Sequence, residues 1–431
     1  MTFSTAPPPY RSRLRIPTIG IAIALLVLIT GCSDAPTDVL STSAGDPGVE
    51  ARDPTGAVVQ VAPPGPDDFQ ALQSAIDAHP GAVLRLQPGT YDIGTERLTI
   101  PHGLTLQGAK DATGTLLSTI VGGDDVGLIH VRALGAYAHD KVTLRDLSIR
   151  MRDLGIDDRR AAILHRAFDY DAEEFILPGG GDLTVRGCEV TAGDDPEAKA
   201  YWSFVVEDVA ITLENSTFTS GGDFAVLFDG ATYNSLTIQD NTVVPADAGL
   251  LMNAQDFTFV EGQDPSKTGV ARFSGNTISV GTRAVQGFVN VGLNIISPRG
   301  PTFATDNVLS VPGSDNIIAV GMQLNNPLGQ SLTVEGNELR GGRNDDGRVR
   351  LGITVTGDRG RYANNVFQGV WSTGVIVALP LLPDPGAVRN KFLHNDFANA
   401  QIAPHTQPQL PPLPSVHWWM GPEATGNSVT D

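Results

Sequence analysis

Hydrophobic and polar residues alternate in short runs along the chain, and one run recurs with small changes. Residues 235–243 read SLTIQDNTV and residues 331–339 read SLTVEGNEL, which share apolar-Thr-apolar, two small or polar residues, then Asn. Related runs lie at 208–218, 269–278, 301–309, 360–367 and 389–397. Successive residues of a strand face opposite sides, so each run predicts a short strand. Such strands bury little alone, so the copies are expected to stack as a repeat.

The Asn residues of these runs are spaced 26 to 35 residues apart. They are Asn215, Asn241, Asn276, Asn307, Asn337, Asn365 and Asn395. Earlier runs at 103–109, 141–149 and 182–190 lack the Asn, and Cys188 takes its place in the last of them. Asn tolerates left-handed backbone at a bend, and stacked side-chain amides can bond to one another. We therefore expect a buried Asn ladder with a structural role rather than a ligand site.

The period of about thirty residues favours one fold over other repeats. Amphipathic helices of ten or more residues are absent from the repeats, and Leu is too sparse for leucine-rich repeats. The 48 Gly and 30 Pro, with 6% aromatic residues, favour strands and turns. We predict an all-β chain, a single right-handed parallel β-helix over residues 67–397 with three strands per coil.

Both ends of such a helix need a cover, because open sheet edges invite pairing with other chains. Residues 67–79 have Phe69, Leu72 and Ile76 at helical spacing and are followed by Pro80-Gly81, which predicts an N-terminal capping helix. Residues 398–431 are Pro-rich and predict an irregular C-terminal cap. For Trp418-Trp419 we favour a hydrophobic plug over a carbohydrate platform.

Residues 72–108, which run from LQSAIDAHPGAVLRLQPGTYDI to LTIPHGLTLQG, resemble the opening of the pectate-lyase-like superfamily. The resemblance implies a capping helix that leads into the first coils. It also implies polysaccharide cleavage or remodelling in a groove beside one strand column. Lyases of the superfamily use a Lys or Arg base with calcium-binding carboxylates, and hydrolases use two or three carboxylates.

The third strand of each coil predicts the surface of that groove. If the larger apolar residues face inward, the outward column is small and neutral-polar, and contains Gly249, Leu251, Asn253, Gly292, Asn294, Gly321, Gln323, Asn325, Gly352, Thr354 and Thr356. Its candidate substrate-binding residues are Asn253, Asn294, Gln323, Asn325 and Thr354. The later coils therefore offer neither a carboxylate pair nor a basic residue.

Titratable residues concentrate in the earlier coils: His130, His165, Arg166, Tyr201, Trp202, Asp223 and Asp229. We predict that they form one column, with Asp223 or Asp229 as the catalytic carboxylate and His165 as acid or base. Arg166 would bind an acidic group, and His130, Tyr201 and Trp202 would contact a sugar. We favour the alternative of solvated loop acids and hydrogen-bonded histidines, because no motif fixes these roles.

Three acidic pairs, Asp124-Asp125, Asp194-Asp195 and Asp345-Asp346, are candidate Ca²⁺ ligands, although turn acids are the favoured interpretation. Gly123-Asp124-Asp125 resembles a polygalacturonase fragment and Asp264-Pro265-Ser266 an epimerase fragment, but the companion motifs of both are missing. We expect no other cofactor or metal.

The N-terminus has Arg11, Arg13 and Arg15, an apolar run at 19–29, and LITGC ending at Cys32. The run is too short to span a bilayer and is typical of an export signal. LITGC resembles the bacterial lipobox, which implies removal of residues 1–31 and lipidation of Cys32. By the same resemblance, Ser33 rather than Asp after the cysteine implies sorting to the outer membrane. Residues 32–66, poor in large apolar side chains, predict a flexible tether. The alternative is an ordinary secretory signal cleaved elsewhere.

A net charge of −19 argues against nucleic acid as a partner. If Cys32 is lipidated, Cys188 has no disulfide partner, so stability must come from packing. We expect a monomeric, lipid-anchored envelope protein that binds or processes a polysaccharide as a lyase or hydrolase. The alternative is a non-enzymatic surface scaffold, and the sequence does not decide between them.

Overall fold

In the computed structural model the chain winds into a single coil, and its strands form three long parallel sheets. The structure describes residues 56–155, 160–169, 172–222, 224–229, 232–245, 248–253, 269–281, 289–296, 300–312, 318–326, 329–342, 348–377, 387–403, 416–421 and 424–430. Along the chain each coil adds one strand to sheet A, one to sheet B and one to sheet C. Neighbouring strands are parallel in all three sheets, and no sheet closes on itself. The fold is a right-handed parallel β-helix, as predicted.

Sheet A has thirteen strands: Val58–Gln60, Val83–Arg85, Leu104–Gln107, Lys141–Arg145, Asp182–Arg186, Val209–Glu214, Tyr233–Gln239, Val270–Ser274, Thr302–Thr305, Leu332–Glu335, Gly360–Ala363, Lys391–Leu393 and Ser428–Thr430. Sheet B has eleven: Gly89–Asp92, Ser118–Gly122, Ser148–Met151, Glu189–Thr191, Thr217–Ser220, Thr242–Pro245, Thr277–Ser279, Val308–Val311, Glu338–Gly341, Val366–Trp371 and Asp396–Ile402.

Sheet C also has eleven strands: Leu98–Ile100, Gly127–Val131, Arg160–Arg166, Ala198–Phe204, Phe224–Asp229, Ala248–Asn253, Val289–Ile296, Ile318–Asn326, Val349–Gly357, Thr373–Val377 and Trp418–Met420. Smaller elements are a 3-10 turn and two strand pairs: Gly135–Tyr137, Phe168–Asp169 with Glu174–Phe175, and Ala387–Val388 with Ala424–Thr425. The antiparallel pair Phe168–Asp169 and Glu174–Phe175 is called the ribbon below.

The single α-helix of the described residues, α1 (Asp68–Ala78), covers the N-terminal end of the coil. Leu72 and Ile76 are buried against the core, as their helical spacing predicts. The Asp68 carboxylate accepts hydrogen bonds from the backbone N–H groups of Gly65 and Asp92, each at 2.7 Å. The capping helix predicted over residues 67–79 is therefore confirmed.

The coil continues at both ends beyond the predicted boundaries. Val58–Gln60 lies within the predicted tether and pairs with Val83–Arg85 in sheet A. Trp418–Met420 and Ser428–Thr430 continue sheets C and A past residue 397. The predicted signal peptide, Cys32 and the tether up to residue 55 lie outside the described residues.

The two C-terminal tryptophans face opposite sides of sheet C. The Trp418 ring packs on Phe392 and Phe397, with ring centroids 5.3 and 5.2 Å apart, and contacts the main core. Trp419 instead packs on the outer face, in a cluster with Ile376. The plug interpretation therefore fits Trp418 and does not fit Trp419.

The predicted Asn ladder runs through the bend between sheets A and B. The Nδ2 groups of Asn241, Asn276 and Asn307 each donate to the Oδ1 of the next ladder Asn at 2.9 to 3.1 Å. Asn337 and Asn365 continue the chain of amides to Asn395. Each Nδ2 also donates to a backbone carbonyl, for example that of Asn307 to Phe273. The amides thus tie consecutive coils together inside the protein.

Two details of the ladder differ from the prediction. Ser216, not Asn215, occupies the ladder position, since the Ser216 N–H donates to Asn241 Oδ1 at 3.0 Å. The left-handed residue is the one before the ladder position, including Asn215 at φ 49° and Asp240 at φ 54°. One residue of each coil thus makes the bend, and the next residue makes the ladder contact. Cys188 holds the preceding ladder position, and burial raises the pKa of its thiol to about 12.

The glycine column of sheet C faces inward, contrary to the prediction. A Cβ on Gly321 would come within 2.7 Å of the Gly352 carbonyl oxygen and 2.9 Å of Leu339 Cδ2 in the core. Gly249, Gly292 and Gly352 meet inward neighbours in the same way. The next residue of each strand is also inward, as Leu293 and Met322 show. Two consecutive inward residues break the period-2 alternation, which is why the prediction fails at this bend.

Candidate functional site

Two columns of side chains face outward from sheet C, and strand register defines both. The first column is His130, Leu164, Trp202, Leu227, Leu251, Asn294, Gln323, Thr354, Ile376 and Trp419. The second is Arg166, Phe204, Asp229, Ile296, Asn325 and Thr356, and the backbone of Asn253 pairs between Asp229 and Ile296. These columns bring together every predicted site residue of the described strands except His165 and Tyr201. Asp223 and the side chain of Asn253 lie outside the described residues.

His165 and Tyr201 lie in the interior of the coil. The His165 Nδ1 is 3.3 Å from the Tyr201 hydroxyl, and its Nε2 is 3.0 Å from the carbonyl oxygens of Gly180 and Gly181. Both side chains are fully buried. Burial lowers the pKa of His165 to about 4 and raises the pKa of Tyr201. His165 as surface acid or base and Tyr201 as sugar contact are therefore corrected to core residues.

The burial of His165 predicts a loss of stability in acid. Its pKa is about 4 in the fold against 6.5 for an ordinary histidine, so below pH 6.5 the unfolded chain binds a proton that the folded chain does not. Stability thus falls as pH drops from 6.5 towards 4, by about 2.5 kcal/mol between pH 7 and 4.5. Urea unfolding at both pH values measures this loss. The His165→Gln variant should show a smaller loss, and an equal loss in both proteins would contradict the assignment.

Arg166 is held among aromatic rings at the edge of the outer face. Its guanidinium carbon lies 4.2 Å from the ring centroid of Phe168, 4.9 Å from that of Phe175 and 5.3 Å from that of Phe204. Phe168 and Phe175 belong to the ribbon that follows the strand of Arg166. Cation–π contacts of this kind attract the guanidinium and restrict its rotamers. The ribbon therefore fixes a positive charge beside the second column.

Other basic residues surround His130 in the first coils. Burial is the main cause that lowers the pKa of His130, and the charges of Arg97, Arg132 and Arg166 lower it further. Arg97 pairs with Asp124 at 3.1 Å and Arg132 lies 4.0 Å from Asp169. His130 is thus neutral at pH 7, and two of the three arginines near it lie beside carboxylates.

Aromatic and acidic groups adjoin this basic region. The Trp202 ring lies 5.0 Å from that of Phe204, and Lys199 Nζ lies 5.4 Å from the Trp202 ring centroid. Asp229 is half-buried and follows Arg166 by two strands in the second column. It is the one carboxylate in the two columns within the described residues. A hydrolase needs a second carboxylate, which the described columns do not supply.

The later coils present a less open surface than predicted. Asn294 is 7% exposed and Thr354 8% exposed, whereas Gln323 and Asn325 are half-buried. Beside them lies a buried apolar cluster on the outer face, formed by Val291, Val320, Val349, Leu351 and Ile376, with Ile318 and Trp419 against it. The predicted neutral-polar groove is therefore partly apolar.

The acidic pairs of the first coils form structural contacts. Asp124 accepts hydrogen bonds at 2.9 Å from the backbone of Val126 and Gly127, and Asp195 pairs with the buried Arg160. Within the described ranges, no group of three or more His, Cys, Asp or Glu side chains is arranged to hold a metal ion. Asp345-Asp346 and Asp264 lie outside those ranges.

Sequence reasoning missed Arg97, Arg132 and Lys199. Arg132 could have been predicted, because it lies two residues after His130, where alternation along a strand predicts the same side of the sheet. The aromatic rings around Arg166 could not have been predicted, because they depend on the pairing of the ribbon.

Among solved structures, several resemble the chain along most of its length. The A-module of a mannuronan C-5 epimerase from Azotobacter vinelandii is 14% identical, with a TM-score of 0.41 and coverage of 85% of this chain and 96% of the other. A family 28 exopolygalacturonase from Yersinia enterocolitica is 10% identical, with a TM-score of 0.43 and coverage of 87% and 79%. The DFA-IIIase of Arthrobacter chlorophenolicus A6 is 13% identical, with a TM-score of 0.43 and coverage of 87% and 95%.

The chain has a parallel β-helix fold. No protein-family model matches it, and no curated protein sequence does. The likeness to these enzymes is one of fold alone, and the chemistry of this β-helix has to be argued from its own residues. In the described part of the chain, no helix is long and apolar enough to cross a membrane.

Proposed function

We propose that this β-helix binds an acidic carbohydrate on the outer face of sheet C, in the coils that carry Arg132, Arg166, Trp202 and Asp229. The observation that carries the proposal is the Arg166 guanidinium, held among three aromatic rings. Arg132 directly follows the neighbouring strand, Gly127–Val131. A fixed guanidinium can bind a carboxylate through two parallel hydrogen bonds. Its ordering before binding lowers the entropic cost of forming them.

The attraction for an acidic ligand is local to Arg166. The whole chain carries −19, and Arg97 and Arg132 lie beside the carboxylates of Asp124 and Asp169. The fixed Arg166 guanidinium, rather than a net positive surface, is therefore the group expected to attract the ligand. The half-buried Phe204 ring beside it supplies apolar surface that a sugar ring can contact.

Cleavage of the bound carbohydrate is the second part of the proposal. Asp229 lies two strands from Arg166, which is roughly 10 Å along the column. We assign it as the candidate acid or base, and Arg166 as the group that binds the substrate carboxylate. The non-enzymatic scaffold remains the alternative, favoured by the buried apolar cluster and neutral polar residues of the later coils.

The test uses the full chain purified in detergent, with polygalacturonate, alginate, hyaluronan and neutral dextran, each with and without Ca²⁺. Absorbance of unsaturated products would identify a lyase, and new reducing ends without them a hydrolase. Binding without products would support the scaffold. Absence of both binding and products for every acidic polymer would reject the proposal.

Arg166→Gln should weaken binding of the acidic polymer about tenfold, since one charge-assisted pair is lost. Arg272→Gln is the matched control, because Arg272 lies 4.8 Å from the Phe303 ring centroid but on sheet A. Isothermal titration of both variants measures the difference. Equal affinities for the two variants would contradict a role for Arg166.

We also propose that Cys32 anchors this protein to the envelope, with the outer membrane favoured. The support is the Leu-Ile-Thr-Gly-Cys sequence after a short apolar run. Incorporation of labelled palmitate into the chain by the producing cells, and its loss in Cys32→Ser, is the measurement that decides it.

A further inference from the structure

Two buried polar atoms on the outer face of sheet C lack hydrogen-bond partners among the described residues. They are the indole Nε1 of Trp202 and the amide Oδ1 of Asn294. Trp202 is 8% exposed and Asn294 is 7% exposed, so water reaches little of either side chain. Buried polar atoms without partners are rare in folded proteins, because each costs free energy that a hydrogen bond would recover.

Both atoms belong to the first outward column. Trp202 packs with Leu164 and Leu227 in a cluster separate from the main core, and the neighbours of Asn294, Leu293 and Ile295, point into that core. Two strands lie between them, whose column residues are Leu227 and Leu251. Leu251 is half-buried, so the column reaches solvent between the two polar residues.

We infer that Trp202 and Asn294 are specificity-determining residues for one ligand that lies along this column. The ligand presents a hydrogen-bond acceptor to the Trp202 N–H and a donor to the Asn294 oxygen, and its apolar face contacts Leu227 and Leu251. Three strand spacings separate the residues, which is roughly 14 Å. That length exceeds one sugar ring. The inference rests on the proposed function, and it specifies an oligosaccharide rather than a monosaccharide.

The free protein offers a test that does not depend on the ligand. If Trp202 Nε1 has no partner before binding, Trp202→Phe loses only the packing of the larger ring and no hydrogen bond. Trp202→Phe is therefore expected to lower the melting temperature less than Trp371→Phe, because Trp371 is also buried but its Nε1 donates to the Gln368 carbonyl at 2.9 Å. An equal or larger fall for Trp202→Phe would mean that its Nε1 has a partner, and would overturn the inference.

Tyr362→Phe is the matched control for binding. The Tyr362 hydroxyl is also buried without a hydrogen-bond partner among the described residues, but its ring packs inside the main core against Phe392. Because Tyr362→Phe keeps the ring and removes only the hydroxyl, it should keep or raise the melting temperature. Because it does not face the column, it should leave ligand affinity unchanged.

Binding is measured by isothermal titration with size-fractionated oligogalacturonates and alginate oligosaccharides of increasing length. We expect affinity to rise until the fragment spans the column and then to level off. Trp202→Phe and Asn294→Leu should each weaken the long fragments about tenfold, the effect of one lost hydrogen bond to a desolvated partner. Tyr362→Phe should bind like the unmodified chain.

The outcomes separate the two proposals. If Arg166→Gln weakens binding but Trp202→Phe and Asn294→Leu do not, the inference is overturned and the proposed function stands. Equal affinity for a monosaccharide and a long fragment would also overturn it. No binding by any acidic fragment would overturn both the inference and the proposed function.

Discussion

Replacement of Asn307 by Ala is expected to lower the free energy of unfolding by about 4 kcal/mol. The Asn307 amide donates to the Phe273 carbonyl and to Asn337 Oδ1, each at 2.9 Å. Its oxygen accepts hydrogen bonds from the backbone and side-chain N–H groups of Asn276. The variant leaves these groups buried and without their partner, and each such loss costs about 1 to 3 kcal/mol. Urea unfolding followed by far-ultraviolet circular dichroism measures the change.

Asn234→Ala is the matched control for the ladder. Asn234 lies in the sheet A strand Tyr233–Gln239, and its side chain is exposed. Its removal should change the free energy of unfolding by no more than about 0.5 kcal/mol. If the Asn307 and Asn234 variants unfolded at the same urea concentration, the ladder would have no measurable role in stability.

Replacement of Asp195 by Ala should be equally damaging, at about 3 to 5 kcal/mol, because it leaves a charge buried without its counter-ion. Arg160 is fully buried, and its guanidinium pairs with Asp195 and donates to the carbonyl oxygens of Asp124 and Arg152 at 3.0 Å. Asp195 also accepts hydrogen bonds from the backbone of Leu154 and Gly155. The pair therefore joins three segments of the first coils.

The double variant Arg160→Met with Asp195→Leu distinguishes a buried charge from general damage. With both charges removed, part of the lost stability should return, because an apolar pair no longer has to be desolvated as ions. The backbone groups that bonded to Arg160 and Asp195 still lose these partners, so the recovery should be incomplete. Glu338→Ala breaks the exposed pair with Arg340 at 2.7 Å and should cost less than about 1 kcal/mol. A double variant as unstable as Asp195→Ala would show that the pair is not the cause.

The sequence was sufficient to predict the fold because one short pattern repeats with its turn chemistry intact. The alternating strand residues and the terminal Asn identify the coil, and Phe69, Leu72 and Ile76 identify the capping helix. The sequence could not show that Ser216 rather than Asn215 occupies the ladder position, because the bend and ladder positions are adjacent and both accept Asn. Gly292 and Gly321 were misplaced because alternation fails where two inward residues follow one another.

The candidate site was predicted in part. Successive residues of a strand face opposite sides, so His165 and Arg166 cannot share one column, and neither can Tyr201 and Trp202. The single predicted column was therefore inconsistent with the strand geometry. Arg166, Trp202 and Asp229 do share one face of sheet C. The rings around Arg166 could not be predicted, because the ribbon brings Phe168 and Phe175 together outside the repeating pattern.

The helix Asp68–Ala78 seals only the end from which the coil begins, and the Arg166 surface lies in the coils nearest to it. Each coil packs on its neighbours, so local unfolding begins at the less stabilised end of the stack and spreads inward. The exposed strand Ser428–Thr430 is at the opposite end. Proteolysis would therefore begin in the C-terminal coils, and the coils that carry Arg166 would outlast them.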